Sequence, residues 1–194
     1  MYRAVDPSSL TPARNSPEVQ PLATNSRISG NQPVRPQHHL LDERLVGAQL
    51  KVVVNDGDAT YKNREVPVSI AKVDGVVSIR HYVYNASKGL APAWVSSKIP
   101  NPTRDNGLLI VVKGDHCGKY VRQIHHRHHE DNGDRQTFIL LAVVKKVEGA
   151  ADALTGEQFE LDPDSLCLAC ETNEDKKLNA NLMNSLRENA RKRK

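Results

Sequence analysis

The chain has 194 residues, 38% of them hydrophobic and only 4% aromatic, and a formal charge of +4. That length suffices for one ordinary domain or two small ones, and a core of Val, Leu and Ile with so few rings excludes a large aromatic-lined pocket. The longest purely apolar run, Phe138 to Val144, is far short of the roughly 20 residues a membrane-spanning helix needs. The polar N-terminus lacks the apolar stretch of a secretory signal, so a soluble intracellular protein with no membrane partner is expected. Cys117, Cys167 and Cys170 are too few, and odd in number, for a disulfide framework and are expected as free thiols.

The positive charge sits at the ends. Residues 1–40 hold four Arg against Asp6 and Glu18, and residues 171–194 hold seven Lys/Arg against four acids, which leaves the middle of the chain at −1. Attraction to phosphates must then come from local patches or tails. Six prolines fall within residues 1–40 among Ser, Asn, Gln and Arg. Such a segment buries too little to offset its ordering entropy, so residues 1–44 are expected to be disordered.

From Leu45 the texture changes. Leu50, Val52 and Val54 alternate with polar residues before Asp56-Gly57, the pattern of a strand with one buried face. Asp74-Gly75 lies midway between two alternating runs, Val66 to Val73 and Val76 to Tyr84, and predicts a type I′ hairpin. If Val73 opposes Val76, then Ile70 opposes Ile79 and Val68 opposes His81, which puts one apolar set on one face. His81 is expected to be hydrogen-bonded locally. Further on, Leu108 to Val112 and Phe138 to Val144 are apolar on both faces and should lie between packed layers. Between them, Gly114 to Gly118 makes a turn, Lys119 to His129 a strand, and Asn132-Gly133 another turn.

The second block repeats the first. Leu90-Ala91-Pro92-Ala93-Trp94-Val95 and Leu161-Asp162-Pro163-Asp164-Ser165-Leu166 share the spacing Leu-x-Pro-x-x-apolar. Val52 to Gly57 followed by Asn63-Arg64-x-Val66 mirrors Ile110 to Gly114 followed by Gly118-Lys119-x-Val121. Asn63 stands for a glycine where positive φ is needed.

The stretch Ile110-Val-Val-Lys-Gly-Asp-His-Cys-Gly-Lys-Tyr-Val-Arg-Gln-Ile124 resembles the KOW motif of NusG-type transcription elongation factors and certain ribosomal proteins. The resemblance implies an all-β fold of two tandem small SH3-like barrels, residues 45–98 and 106–170, joined by a linker at 99–105. A C-terminal α-helix over 171–194 would follow. It also implies a non-enzymatic, transcription-associated module that binds RNA or nucleic-acid backbone through the second barrel. The alternative is a protein–protein interaction module of the same fold, facing a polymerase or chromatin surface. A distant alternative is a metal-dependent enzyme using the histidines described next. No cofactor and no small-molecule substrate are expected.

His125, His126, His128 and His129, with His116 and Cys117 before them, invite a metal reading. Adjacent strand residues point to opposite faces, however, so a solvated, weakly basic strand end is the simpler expectation and no metal ligand is assigned. Cys167 and Cys170 have a zinc half-site gap without a knuckle glycine or a second pair, and are expected as structural thiols. Cys117 beside His116 has no identifiable oxyanion donor or orienting acid, so no catalytic residue is assigned. Asn85-Ala86-Ser87 is an idle glycosylation sequon.

The candidate nucleic-acid contacts are Lys113, Lys119, Tyr120, Arg122 and Arg127, with Lys145 and Lys146 on the following strand. At the C-terminus Thr172 can cap a helix with Asp175 three residues on, and Leu178, Leu182 and Leu186 recur at i+4. Lys176 and Lys177, then Arg191, Lys192, Arg193 and Lys194, form two basic clusters of the kind a nuclear-import signal needs. Nuclear residence is expected, with the cytoplasm as the runner-up. The competing reading is a helix whose positive end complements its own dipole.

Overall fold

In the computed structural model the described residues are 38–192, apart from 58–59, 84–85 and 132–133. The disorder expected of residues 1–37, the sequon residue Asn85, the Asn132-Gly133 turn, and the tail residues Arg193 and Lys194 lie outside the described residues.

Two five-stranded antiparallel sheets carry the fold. The first contains β1 (Gln49–Val54), β2 (Glu65–Val73), β3 (Val76–Val83), β4 (Ala86–Leu90) and β5 (Val95–Ser97), in the order β4-β3-β2-β1-β5. The second contains β6 (Leu109–Val111), β7 (Tyr120–Asp131), β8 (Asp134–Lys145), β9 (Ala153–Leu161) and β10 (Leu166–Leu168), in the order β10-β6-β7-β8-β9. In both, the last strand returns to lie beside the first, so the repeat seen in the sequence is a repeat of topology. Each closing strand is led by a 3₁₀ turn, Pro92–Trp94 or Pro163–Ser165. The proline there presets φ and has no N–H to leave unpaired in the first turn.

The β2–β3 pairing has the expected register, with Val73 opposite Val76 and Ile70 opposite Ile79. Asp74 (φ 51°) and Gly75 (φ 81°) are both left-handed, as a type I′ turn requires. Asn63 takes φ 61° where the second repeat has Gly118 at 89°. Gly118 has a further reason to be glycine: a Cβ there would lie 2.7 Å from the carbonyl oxygen of Arg44.

That contact belongs to residues 38–45, of which 38–44 are ordered contrary to the disorder expected up to residue 44. They form two short 3₁₀ turns, His39–Leu41 and Glu43–Leu45, and Leu40 and Leu45 are fully buried. Burying two leucines contributes about 1.5–3 kcal/mol each, enough to hold so short a segment down. Arg44 also donates to the Gly114 carbonyl at 3.1 Å, so this segment bridges from the first sheet to the turn before β7.

β6 is buried on both faces, as expected of an apolar run without alternation. Ile110 and Val112 join the core of the first sheet, together with Leu50, Val52, Ile70 and Cys167, whereas Leu109 and Val111 join Val121, Ile139 and Leu141 in the core of the second. The two sheets therefore share a strand layer. Backbone bonds reinforce it: the Cys170 amide donates to the Gln49 carbonyl at 2.9 Å and the Leu168 amide to the Lys98 carbonyl at 3.0 Å.

β8 also separates two layers. Ile139, Leu141 and Val143 face the sheet's core, and Ala142 faces Met183 and Leu186 of the C-terminal segment. That segment is two helices, α1 (Asn173–Leu178) and α2 (Ala180–Lys192), not one. Thr172 and Asp175 form the anticipated capping box. The single Leu178-Leu182-Leu186 stripe is corrected by a break at Asn179, whose side-chain oxygen accepts the Asp152 amide at 2.7 Å while its Nδ2 donates to the Asp175 carbonyl at 2.9 Å. The turn at Asn179 leaves Leu178 exposed and Met183 and Leu186 buried.

Candidate nucleic-acid interface

Strand alternation and one bulge decide where the basic residues of the second repeat point. Arg122 pairs with Ala142 on β8, and Gln123 with Leu141; Ile124 is then the extra residue, and pairing resumes with His125 opposite Leu140 and Arg127 opposite Phe138. Side chains of directly paired residues share a face. Arg122, His125 and Arg127 therefore lie on the face that packs against α2, and Gln123, His126 and His128 lie on the opposite one. Without the bulge, His125 and Arg127 would point the other way.

Arg122 does not reach solvent. Its side chain is 2% exposed, and its Nη2 lies 2.6 Å from Asp152 and 2.7 Å from Glu171, both of whose side chains are nearly as buried. Nε adds a second bond to Asp152 at 3.0 Å, and the other oxygen of Glu171 accepts the Leu108 amide at 2.6 Å. Arg122 is thus an internal tie between β7, the loop before β9 and the segment after β10. It is therefore not one of the surface nucleic-acid contacts expected from the sequence.

Lys119 and Tyr120, adjacent in sequence, diverge. Lys119 pairs with Glu157 at 2.5 Å and lies over the Phe159 ring, on which His116 is stacked with centroids 3.8 Å apart. Tyr120 is half-buried among Leu108, Val144 and Ala169, with the Lys146 ammonium 5.9 Å from its ring centroid. Burial raises the Tyr120 pKa above the usual phenol value. Arg127 pairs with Glu160. At about 3.3 Å per residue of extended chain, Lys119, just before β7, and Arg127 within it are roughly 26 Å apart. Lys113, Lys145 and Lys146 are exposed. The candidates therefore spread along the second repeat, and Glu157 and Glu160 neutralise two of them.

The histidines divide as the alternation requires. The His126 and His128 rings share a face with centroids 5.7 Å apart, and His128 Nδ1 lies 3.0 Å from the Thr137 hydroxyl. Among the described residues no group of three or more His, Cys, Asp or Glu is placed to hold a metal ion. Cys167 is fully buried, its Sγ donates to the Lys51 carbonyl at 3.1 Å, and burial pushes its thiol up to about 12. Burial likewise raises the Cys117 thiol to about 11. His81 is buried with its ring edge-on to Tyr61, and burial lowers its pKa.

Lys176 and Lys177 are exposed on α1, and Arg191 and Lys192 on the last turn of α2. Arg187 was not singled out in the sequence. Its i+4 spacing to Arg191 was legible, but not that β7 packs beside it. The chain matches no protein-family model and no curated protein.

Proposed function

We propose that this chain is a non-enzymatic, transcription-associated module of two KOW-like, SH3-type repeats that binds nucleic-acid backbone through its second repeat. One observation carries the reading: both sheets repeat one strand order and one 3₁₀-led closing strand. The left-handed glycines Gly114 and Gly118 at the turn of the KOW-like stretch agree with it. Charge would supply affinity, and a labelled single-stranded RNA titrated across salt tests this. Log affinity should fall with log salt at about −0.7 per phosphate contact, or about −2 for three lysines. Binding that is absent at low salt, or indifferent to salt, refutes the reading.

The ion pairs of Lys119 with Glu157 and of Arg127 with Glu160 favour a second reading, a protein partner on a polymerase or chromatin surface. Capture of such a partner by protein that binds no RNA would support it. Nuclear residence is part of the proposal. Deleting residues 191–194 should move a tagged protein to the cytoplasm without changing its melting temperature, since they lie beyond Leu186, the last buried residue of α2. Cytoplasmic residence of the intact chain would dispose of it.

A further inference from the structure

The bulge at Ile124 and the docking of α2 bring together cations that are far apart in sequence. After the bulge His125, Arg127 and His129 occupy every second position on the face of β7 that α2 packs against, spaced about 7 Å apart. Arg187 and Arg191 stand one turn apart on α2, about 6 Å along its axis. Ile124, His125, Arg187, Ala190 and Arg191 line a cleft of about 200 Å³ between strand and helix. On the same face, Arg127, His129, Phe138 and Glu160 line a second cleft of about 390 Å³, with no α2 residue in its lining. The pairing of His125 with Leu140 and of Arg127 with Phe138 makes the two clefts neighbours along one surface.

The chemistry of this surface is mixed. Among the residues that line the two clefts, three guanidinium groups stand with one carboxylate, Glu160, which is paired with Arg127; the next acid on this face, Asp134, lies two strand pairs further along, beyond Gln136. Arg187 and Arg191 have fork-shaped donors suited to phosphate oxygens. Phe138 is a half-buried ring opposite Arg127, with no polar atom of its own. A cationic groove interleaved with an aromatic ring is how sequence-tolerant proteins hold a single strand, with phosphates on the cations and a base on the ring.

We propose that this face, the strand-and-helix side of the β7–β8 hairpin with the C-terminal turns of α2, is a track for single-stranded nucleic acid. Arg187 and Arg191 take phosphates, and Phe138 takes a base. The inference rests on the nucleic-acid reading above and gives it a location other than the lysines of the sequence-derived patch. An acidic protein surface would fit the cations equally well but has no use for Phe138, so the polynucleotide is the occupant the observations favour.

The test uses the full chain and a labelled oligouridylate of about twelve nucleotides. The Arg187→Gln/Arg191→Gln double variant should bind roughly tenfold or more weakly and lose about 1.4 from the salt slope, two contacts at about 0.7 each. Its melting temperature should be unchanged, because both side chains are exposed. Lys113→Glu/Lys146→Glu should cost less. In the unaltered protein, photocrosslinking to 5-bromouridine RNA should map to the peptide containing Phe138. If the intact chain binds no RNA, both readings fall. If it binds and the double arginine variant binds equally well, or the crosslink maps to Tyr120, this location alone is overturned. Equal affinity for an oligoglutamate of matched charge would overturn it in favour of an acidic protein surface.

Discussion

Arg122 holds Asp152 by two bonds to one carboxylate oxygen, Nε at 3.0 Å and Nη2 at 2.6 Å, with both side chains almost wholly out of solvent. Glu171 shares the same guanidinium at 2.7 Å, and Asn179 holds the Asp152 amide. The contact joins the start of β7 to the loop before β9 and, through Glu171 and Asn179, to both ends of α1. The same cluster reaches the start of α2, where the Met183 sulfur lies 3.9 Å from Arg122 Nη1.

Removing the guanidinium strands two buried carboxylates. Arg122→Ala should lower stability by about 3–5 kcal/mol, the cost of breaking a buried pair from one side. Urea denaturation measures it directly. A loss below about 1 kcal/mol would mean that solvent reaches the two acids.

The β2–β3 hairpin is tested from its buried face. Val68 and Ile79 are 3% and 1% exposed, and an aspartate at either place would bury an unpaired charge. Val68→Asp and Ile79→Asp should each abolish cooperative melting. Exchange at exposed Val76, 67% open to solvent, should change the melting temperature little.

Acid should weaken the fold before its carboxylates titrate. His39 Nε2 lies 2.6 Å from the Ser97 hydroxyl, and burial, with the nearby charges of His38 and Lys113, lowers its pKa from 6.5 to about 4. Between these values the unfolded chain binds a proton that the folded chain refuses, so stability is complete above pH 6.5 and falls as pH drops towards 4. His38 and His81 are lowered as well and act with the same sign. His39→Gln should therefore flatten, without abolishing, the slope of stability against pH in this window. An unchanged slope across denaturation curves would contradict the assignment.

The thiols should report folding. Burial raises the pKa of all three thiols, but Cys117 and Cys167 are buried and Cys170 is only half-buried. Since the reagent must reach the sulfur as well as find it ionised, an alkylating reagent at neutral pH should label Cys170 first and reach the other two only on unfolding. Mass spectrometry of the native protein decides this. Early labelling of Cys167 would show that the layer between the sheets opens.

Much of the fold is legible in the residues because local rules govern it. The alternation around Asp74-Gly75 permits one register that keeps Ile70 and Ile79 on a common face. Pro92 and Pro163 preset φ for the first residues of their turns, and Asn63 and Gly118 mark left-handed positions. Thr172 and Asp175 cap a helix within four residues of chain. The unalternating apolar runs of β6 and β8 announce two buried faces without saying what covers them. For β6 it is the first sheet, and for β8 it is α2.

The candidate site is legible only as a list of basic residues. Whether a cation meets water or a carboxylate depends on partners 30 to 50 positions away, such as Asp152 and Glu171 for Arg122 or Glu160 for Arg127. One extra residue at Ile124 reverses the alternation for all that follows on β7 and brings His125 and Arg127 to the side of Arg187. Composition and periodicity determine that strands form and which residues are apolar. The bulge and the docking of α2 are set by packing across the whole chain, and they determine which charges are left outside.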